Sequence, residues 1–171
     1  MSILSKKFIV LFTGVPGCSK TPIAHYLSWN LNLPIFSNDI MRTEVIEDHG
    51  AFDQAKYLVI RDQRLAEILA KGDSFIYDAS VDRVWPELKA KLVEVGYEYF
   101  LINIELSPKF LRQLYQSKQY NWALEYLDKH LGDHRQILDN YSKDISFEIK
   151  EPDFANRLEL AQQALAAWLK K

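Results

Sequence analysis

The chain has 171 residues, enough for one domain with a substantial buried core. It is 48% hydrophobic and 26% charged, with a formal net charge of −2 that offers no overall attraction to nucleic acid or an anionic membrane. A polyanionic ligand therefore needs a local cationic site, and the lone cysteine, Cys18, excludes an internal disulfide and points to a reducing, cytoplasmic setting.

The opening MSILSKKFIVLFTG has the outline of a secretory leader, but its apolar run Phe8–Phe12 is too short for one and no small-residue cleavage site follows. No apolar run approaches the roughly 20 residues that span a bilayer. There is no internal repeat, low-complexity stretch or linker, so residues 1–171 read as a single domain. Short apolar runs alternate with longer amphipathic ones, the pattern of an α/β protein with a mainly parallel sheet.

In chain order, Phe8–Thr13 is continuous and β-rich, as a strand buried on both faces is. Lys20–Leu31 reads as a helix with Pro22 in its first turn, where a missing N–H is harmless. Ile35–Ser37 is a short strand, after which Asn38 or Asp39 can cap a helix running to about Asp48. Asp53–Lys71 is a long helix with Leu58, Leu65, Ile68 and Leu69 on one face, ended by Gly72. Ser74–Tyr77 is a third strand leading into Asp78; Pro86–Val95 is a helix stopped by Gly96; Tyr99–Glu105 is a fourth strand. Residues 108–140 are mostly helical with a break expected at Gly132, Ile145–Ile149 is a weak fifth strand, and Asp153–Leu169 is a final amphipathic helix.

The strongest signal is GVPGCSKT, comprising Gly14, Val15, Pro16, Gly17, Cys18, Ser19, Lys20 and Thr21, between a buried strand and a helix. Successive backbone N–H groups and a helix N-terminus make an anion site there, and glycines permit the tight path. Lys20 supplies a point charge to the outer phosphates of ATP or a similar triphosphate, and Thr21 offers its hydroxyl to Mg²⁺. This is a Walker A loop with one departure: glycine is usual before the lysine, and this chain has Ser19. A tolerated serine implies an ordinary helical backbone at that residue with its Cβ turned away from the phosphates.

With the following segments added, the chain resembles the P-loop kinase superfamily, most of all the group of phage-type polynucleotide 5′-kinases, zeta-toxin-like kinases and other small phosphotransferases. The motifs lie mainly in residues 8–42 and 74–112. The resemblance implies a three-layer α/β/α P-loop fold with a five-stranded parallel sheet in the order 2-3-1-4-5 and a helical lid over about 107–135. After the second strand, SNDIMR matches an Asp-x-x-Arg element in Asp39 and Arg42. By resemblance Asp39 orients and deprotonates the acceptor hydroxyl, and Arg42 holds the acceptor or the transferring phosphate; helix capping is the competing role for Asp39. In FIYDAS, Asp78 resembles a metal- or substrate-side acid at the carboxyl edge of the sheet, with a turn cap as its alternative. In SPKFLRQLYQSK, Arg112 best matches the lid arginine that reaches over the phosphates, with Lys118 and Arg135 as further candidates, against the ordinary reading of a solvated helix face.

Other features carry less. His130 and His134 are four apart, but Gly132 lies between them and nothing completes a metal site, so they read as a surface pair. Tyr115, Trp122 and Tyr126 interleave with Lys118 as a stacking platform would, yet their spacing fits packing. Arg61 and Arg64 read as a solvated face. The expectation is an ATP- and Mg²⁺-dependent phosphotransferase acting on a hydroxyl of a small molecule, nucleotide or polynucleotide 5′-end, with no membrane partner. The alternative is a nucleotide-binding module with weak or no turnover.

Overall fold

A computed structural model describes residues 6–171, so Met1–Ser5, the first part of the segment weighed as a leader, lie outside the description. Five strands form one parallel sheet: β1 (Phe8–Thr13), β2 (Ile35–Ser37), β3 (Phe75–Ser80), β4 (Glu98–Glu105) and β5 (Phe147–Lys150), in the order β2-β3-β1-β4-β5. Successive strand residues point to opposite faces, so a central strand flanked by two helical layers needs apolar residues at every position. β1 meets this demand: Phe8, Val10 and Phe12 enter one core, Ile9 and Leu11 the other, all buried.

Eight α-helices cover the sheet: α1 (Lys20–Leu31), α2 (Asn38–His49), α3 (Gln54–Lys71), α4 (Trp85–Glu94), α5 (Pro108–Ser117), α6 (Asn121–Glu125), α7 (Leu127–Tyr141) and α8 (Arg157–Leu169). The first core is closed by α1, α5 and α8 through Ile23, Leu27, Leu111, Tyr115 and Leu165. The second is closed by α2, α3, α4 and α7 through Val45, Leu65, Leu69, Trp85, Leu92 and Ile137. The segment after α5 thus crosses the carboxyl edge of the sheet from one face to the other. Asp53 caps α3 by accepting from the Ala55 and Lys56 amides. No helix among the described residues is long and apolar enough to cross a membrane.

Several boundaries differ from the sequence reading. Ser37, not Asn38 or Asp39, occupies the cap position of α2, and makes no side-chain cap bond. β3 runs through Asp78 to Ser80 because its pairing with β1 and β2 extends that far. α7 passes unbroken through Gly132, where an added Cβ would meet nothing; the helical run breaks instead at Lys118–Tyr120 and at Tyr126. A 3₁₀ turn, Glu151–Asn156, precedes α8.

Candidate active site

Gly14–Thr21 leaves the carboxyl end of β1 and enters α1. Gly14 has φ +138°, and a Cβ there would lie 2.9 Å from both Cys18 Sγ and the Ile104 carbonyl oxygen. Gly17 has φ +75°, and a Cβ there would lie 3.0 Å from the Tyr115 ring. Both positions therefore exclude other residues. Lys20, the first residue of α1, is largely buried, and its Nζ donates to the Gly14 carbonyl at 2.8 Å and the Val15 carbonyl at 2.7 Å. The ammonium thus lies in the concavity of its own loop, beside a helix N-terminus, a combination suited to a bound phosphate. Cys18 is fully buried, and burial pushes its thiol pKa up, against the pull of Lys20.

Ser19 corrects the expectation of a helical backbone. Its φ of 93° and ψ of 24° place it in the left-handed region, which disfavours residues with a Cβ by about 1–2 kcal/mol. Its Oγ accepts from Arg157 Nε at 2.6 Å.

Thr21 Oγ1 donates to Asp78 Oδ1 at 3.0 Å, joining the loop to β3. Among the described residues, the hydrogen bond that Asp78 accepts is this one from Thr21, and not one from a turn amide. Burial raises its pKa, the Thr21 hydroxyl opposes the rise and the negative charge of Asp39 adds to it. One hydroxyl and one carboxylate, with a second carboxylate near, form a partial oxygen donor set of the kind Mg²⁺ takes when substrate phosphates and water complete its shell. No group of three or more His, Cys, Asp or Glu side chains among the described residues could hold a metal by itself, so an ion here depends on that completion. Asp39 is exposed in the first turn of α2 and performs no capping. Arg42 is one turn on, its guanidinium 4.2 Å from the Phe52 ring centroid and 5.9 Å from that of Tyr57.

From the segment after β4, the Tyr115 hydroxyl donates to the Pro16 carbonyl, and Lys118 Nζ donates to the Gly17 carbonyl at 2.9 Å. Burial pulls the Lys118 pKa down, and the charges of Arg157 and Lys20 add to this. Arg112 lies elsewhere, half exposed, with Nη2 3.7 Å from Asp128 Oδ1. Arg135 is exposed on α7.

The sequence reading missed two residues here and misplaced a third. Asp82, just after β3, accepts from the Thr13 hydroxyl and, at 3.2 Å, from the Gly14 amide, through Oδ1. His134 is no surface residue: it is buried, with Nδ1 3.2 Å from Thr13 Oγ1 and 3.3 Å from Asp82 Oδ2, while His130 stays near Arg83. Arg157 is the second residue missed. The only local sign of Asp82 is its place, four residues beyond Asp78 at the same sheet edge. Of the aromatic trio, Tyr115 packs in the core but Trp122 and Tyr126 are more than half exposed. Arg64 pairs with Glu44 at 2.6 Å, and Arg61, with a mostly buried side chain, pairs with Asp62 at 2.7 Å. A cavity of about 870 Å³ opens at the opposite end of the sheet among Lys6, Pro34, Gly72 and Gly96, away from the carboxyl edge where open parallel sheets bind ligands.

No protein-family model matches the chain, and no curated protein sequence matches it. Solved structures do. A gluconokinase from Sinorhizobium meliloti superposes with a TM-score of 0.67 at 13% identity, over 96% of this chain and 94% of its own. A shikimate kinase from Bacteroides thetaiotaomicron superposes with a TM-score of 0.60 at 14% identity, over 96% and 99%. The Mycobacterium tuberculosis APS kinase, solved with AMPPNP and APS, superposes with a TM-score of 0.58 at 13% identity, over 94% and 98%. The chain has the fold of the P-loop kinases, a five-stranded parallel sheet in the order 2-3-1-4-5 between two helical layers.

Proposed function

We infer that this protein is an ATP-dependent phosphotransferase that moves the γ-phosphate to a hydroxyl of a small molecule, nucleotide or polynucleotide 5′-end. The observation that carries the reading is the 3.0 Å link between Thr21 and Asp78 beside the buried Lys20 ammonium. A plain strand–turn–helix needs none of these three groups together, whereas phosphoryl transfer does. Catalysis of that reaction consists mainly of positioning and charge stabilisation around a loose transition state.

In this reading the amides of Gly14–Thr21 and the Lys20 ammonium hold the phosphates. Thr21 and Asp78 would hold Mg²⁺, which neutralises charge gathering on the phosphate oxygens. Asp39 aligns the acceptor hydroxyl and accepts its proton as the new bond forms. Arg42, stacked on Phe52, offers its guanidinium edge to the acceptor side. Arg112 and Lys118 belong to a lid over about 107–135 in a single domain, with Lys118 already at the loop.

Two observations favour a second reading, a nucleotide-binding module with weak or no turnover: the side chain that Ser19 carries where glycine is usual, and the pairing of Arg112 with Asp128. A labelled-phosphate transfer screen with Mg·ATP over nucleosides, oligonucleotides, sugars and amino-sugars separates the two. Labelled product supports the transferase. Nucleotide binding with no product from any acceptor supports the module, and no binding at all overturns both.

A further inference from the structure

Ser19 occupies a backbone conformation that glycine adopts freely, at the last loop position before Lys20. Such conformations persist where the surroundings over-determine them, and they cluster at ligand clamps. Here the surroundings are supplied by a residue 138 positions away in sequence. Arg157 Nε donates to Ser19 Oγ at 2.6 Å, and Arg157 Nη1 donates to the Phe154 carbonyl at 2.7 Å. The guanidinium carbon lies 4.2 Å from the Phe154 ring centroid. A guanidinium is a rigid planar fork. With two of its nitrogens committed and one face covered, its direction is set by Phe154, and the Ser19 hydroxyl has a fixed donor to meet. Ser19 is itself buried, so no solvent competes freely for that hydroxyl.

We propose that Arg157 is a positioning residue for the phosphate loop: braced by Phe154, it grips the Ser19 hydroxyl and holds the final turn of the loop, with its amide groups, in the arrangement that receives phosphate. Serine plus arginine thereby does by a tertiary tie what glycine does by backbone freedom, and the tie makes the loop stiffer than a glycine loop. It also joins the loop to the start of α8. The proposal rests on the reading of Gly14–Thr21 as a phosphate site, but its structural half stands without nucleotide.

That half yields a conditional requirement: Arg157 matters only while residue 19 carries a hydroxyl-bearing side chain. The test compares wild type, Ser19→Ala, Ser19→Gly, Arg157→Ala and the Ser19→Gly/Arg157→Ala double variant. Amide hydrogen exchange of residues 14–21 is followed in the protein without nucleotide, and Mg·ATP affinity by calorimetry. Arg157→Ala is expected to speed exchange of the amides at 17–21 about tenfold and to weaken Mg·ATP binding five- to tenfold, roughly 1–1.4 kcal/mol. Exchange in β4 should stay unchanged. Ser19→Ala, which keeps the strained backbone and loses the hydroxyl, should reproduce this. In the Ser19→Gly background, adding Arg157→Ala should change either readout by less than twofold. An equal loss in both backgrounds overturns the proposal, because Arg157 then acts on the nucleotide or on the whole fold. Wild-type exchange in Arg157→Ala or Ser19→Ala overturns it as well. Should wild type bind no Mg·ATP, the phosphate reading falls, and the exchange data still decide the tie.

Discussion

Asp82 Oδ2 lies 3.3 Å from His134 Nδ1 directly beneath the start of the phosphate loop, and both side chains are buried. The other oxygen of the same carboxylate takes the Thr13 hydroxyl and the Gly14 amide. One carboxylate therefore fastens the end of β1, the turn after β3 and helix α7 to one another. Burial alone would raise the Asp82 pKa; the hydrogen bonds from His134 and Thr13, with the nearby charge of Lys20, outweigh it and hold the carboxyl below the ordinary range.

A carboxyl held low in the folded protein lends stability that is fully present above its unfolded value, near pH 3.9, and is lost as pH falls through the folded value. Asp82→Asn should therefore be less stable at pH 7 by about 1–3 kcal/mol, the scale of a broken buried network. The gap to wild type should close as pH drops below about 4. Urea denaturation across pH 3–7 checks this; a gap that is the same at every pH would mean that the charge is not its source.

Lys20→Ala should weaken Mg·ATP binding at least about tenfold, roughly 1.4 kcal/mol, with the circular-dichroism spectrum unchanged. Calorimetry reads the loss directly. Equal affinity in the two proteins would remove the phosphate site from Gly14–Thr21.

Asp78 is shifted in the opposite sense to Asp82. Its raised pKa means that the ionised carboxylate opposes folding, a penalty absent below about pH 3.9 and complete above the folded value. Asp78→Asn, able to keep the Thr21 bond, should melt at a higher temperature than wild type at pH 7 and show no gain at pH 3. If Asp78 holds the metal, the same change should slow transfer by about 10²-fold or more, since such charge stabilisation is worth several kcal/mol. A variant that is both more stable and fully active would take Asp78 out of the chemistry.

Asp39→Asn should lower the transfer rate by roughly 10²-fold or more, the scale of a positioned acid–base group, while ATP affinity barely moves. The cap position of α2 belongs to Ser37, so helix stability should also stay near wild type. A normal rate with a destabilised helix would make Asp39 structural.

The two cations after β4 should differ. Lys118 touches the loop, so Lys118→Ala should raise the KM for ATP several-fold, about 1 kcal/mol for one charge-assisted hydrogen bond. Arg112 touches Asp128 instead and should show the smaller effect unless it swings inward during turnover, in which case Arg112→Ala lowers kcat and leaves KM in place. Steady-state kinetics of both variants distinguishes these outcomes.

The architecture was legible where local chemistry dictates it. A phosphate cradle requires N–H groups, a lysine and a hydroxyl at fixed steps along one stretch of backbone, so Gly14–Thr21 announces itself, as does the continuous apolar run of β1. Asp82, His134 and Arg157 leave no such trace. Their meaning comes from meetings across 68, 121 and 138 residues of chain, and nothing next to them in sequence signals those meetings. The error at Ser19 was physical rather than positional. Glycine is usual there because the backbone turns left-handed, and that geometry persists when the residue changes. The break expected at Gly132 failed for the converse reason: a glycine inside a helix weakens it by roughly 1 kcal/mol without ending it, and α7 is held by Leu127, His134 and Ile137.

Cys18, the only cysteine of the chain, sits at the centre of the loop with no solvent exposure and a thiol whose burial keeps it protonated. While the loop is closed the sulfur is shielded from alkylating reagents; when the loop opens the thiol meets water and ionises in part to the reactive thiolate. The rate at which a maleimide labels the protein is then a clock for loop opening, proportional to the open population when reclosing is fast. A single mass shift, with no other thiol to confuse it, reports how often the cradle comes apart and how far a bound nucleotide slows that motion.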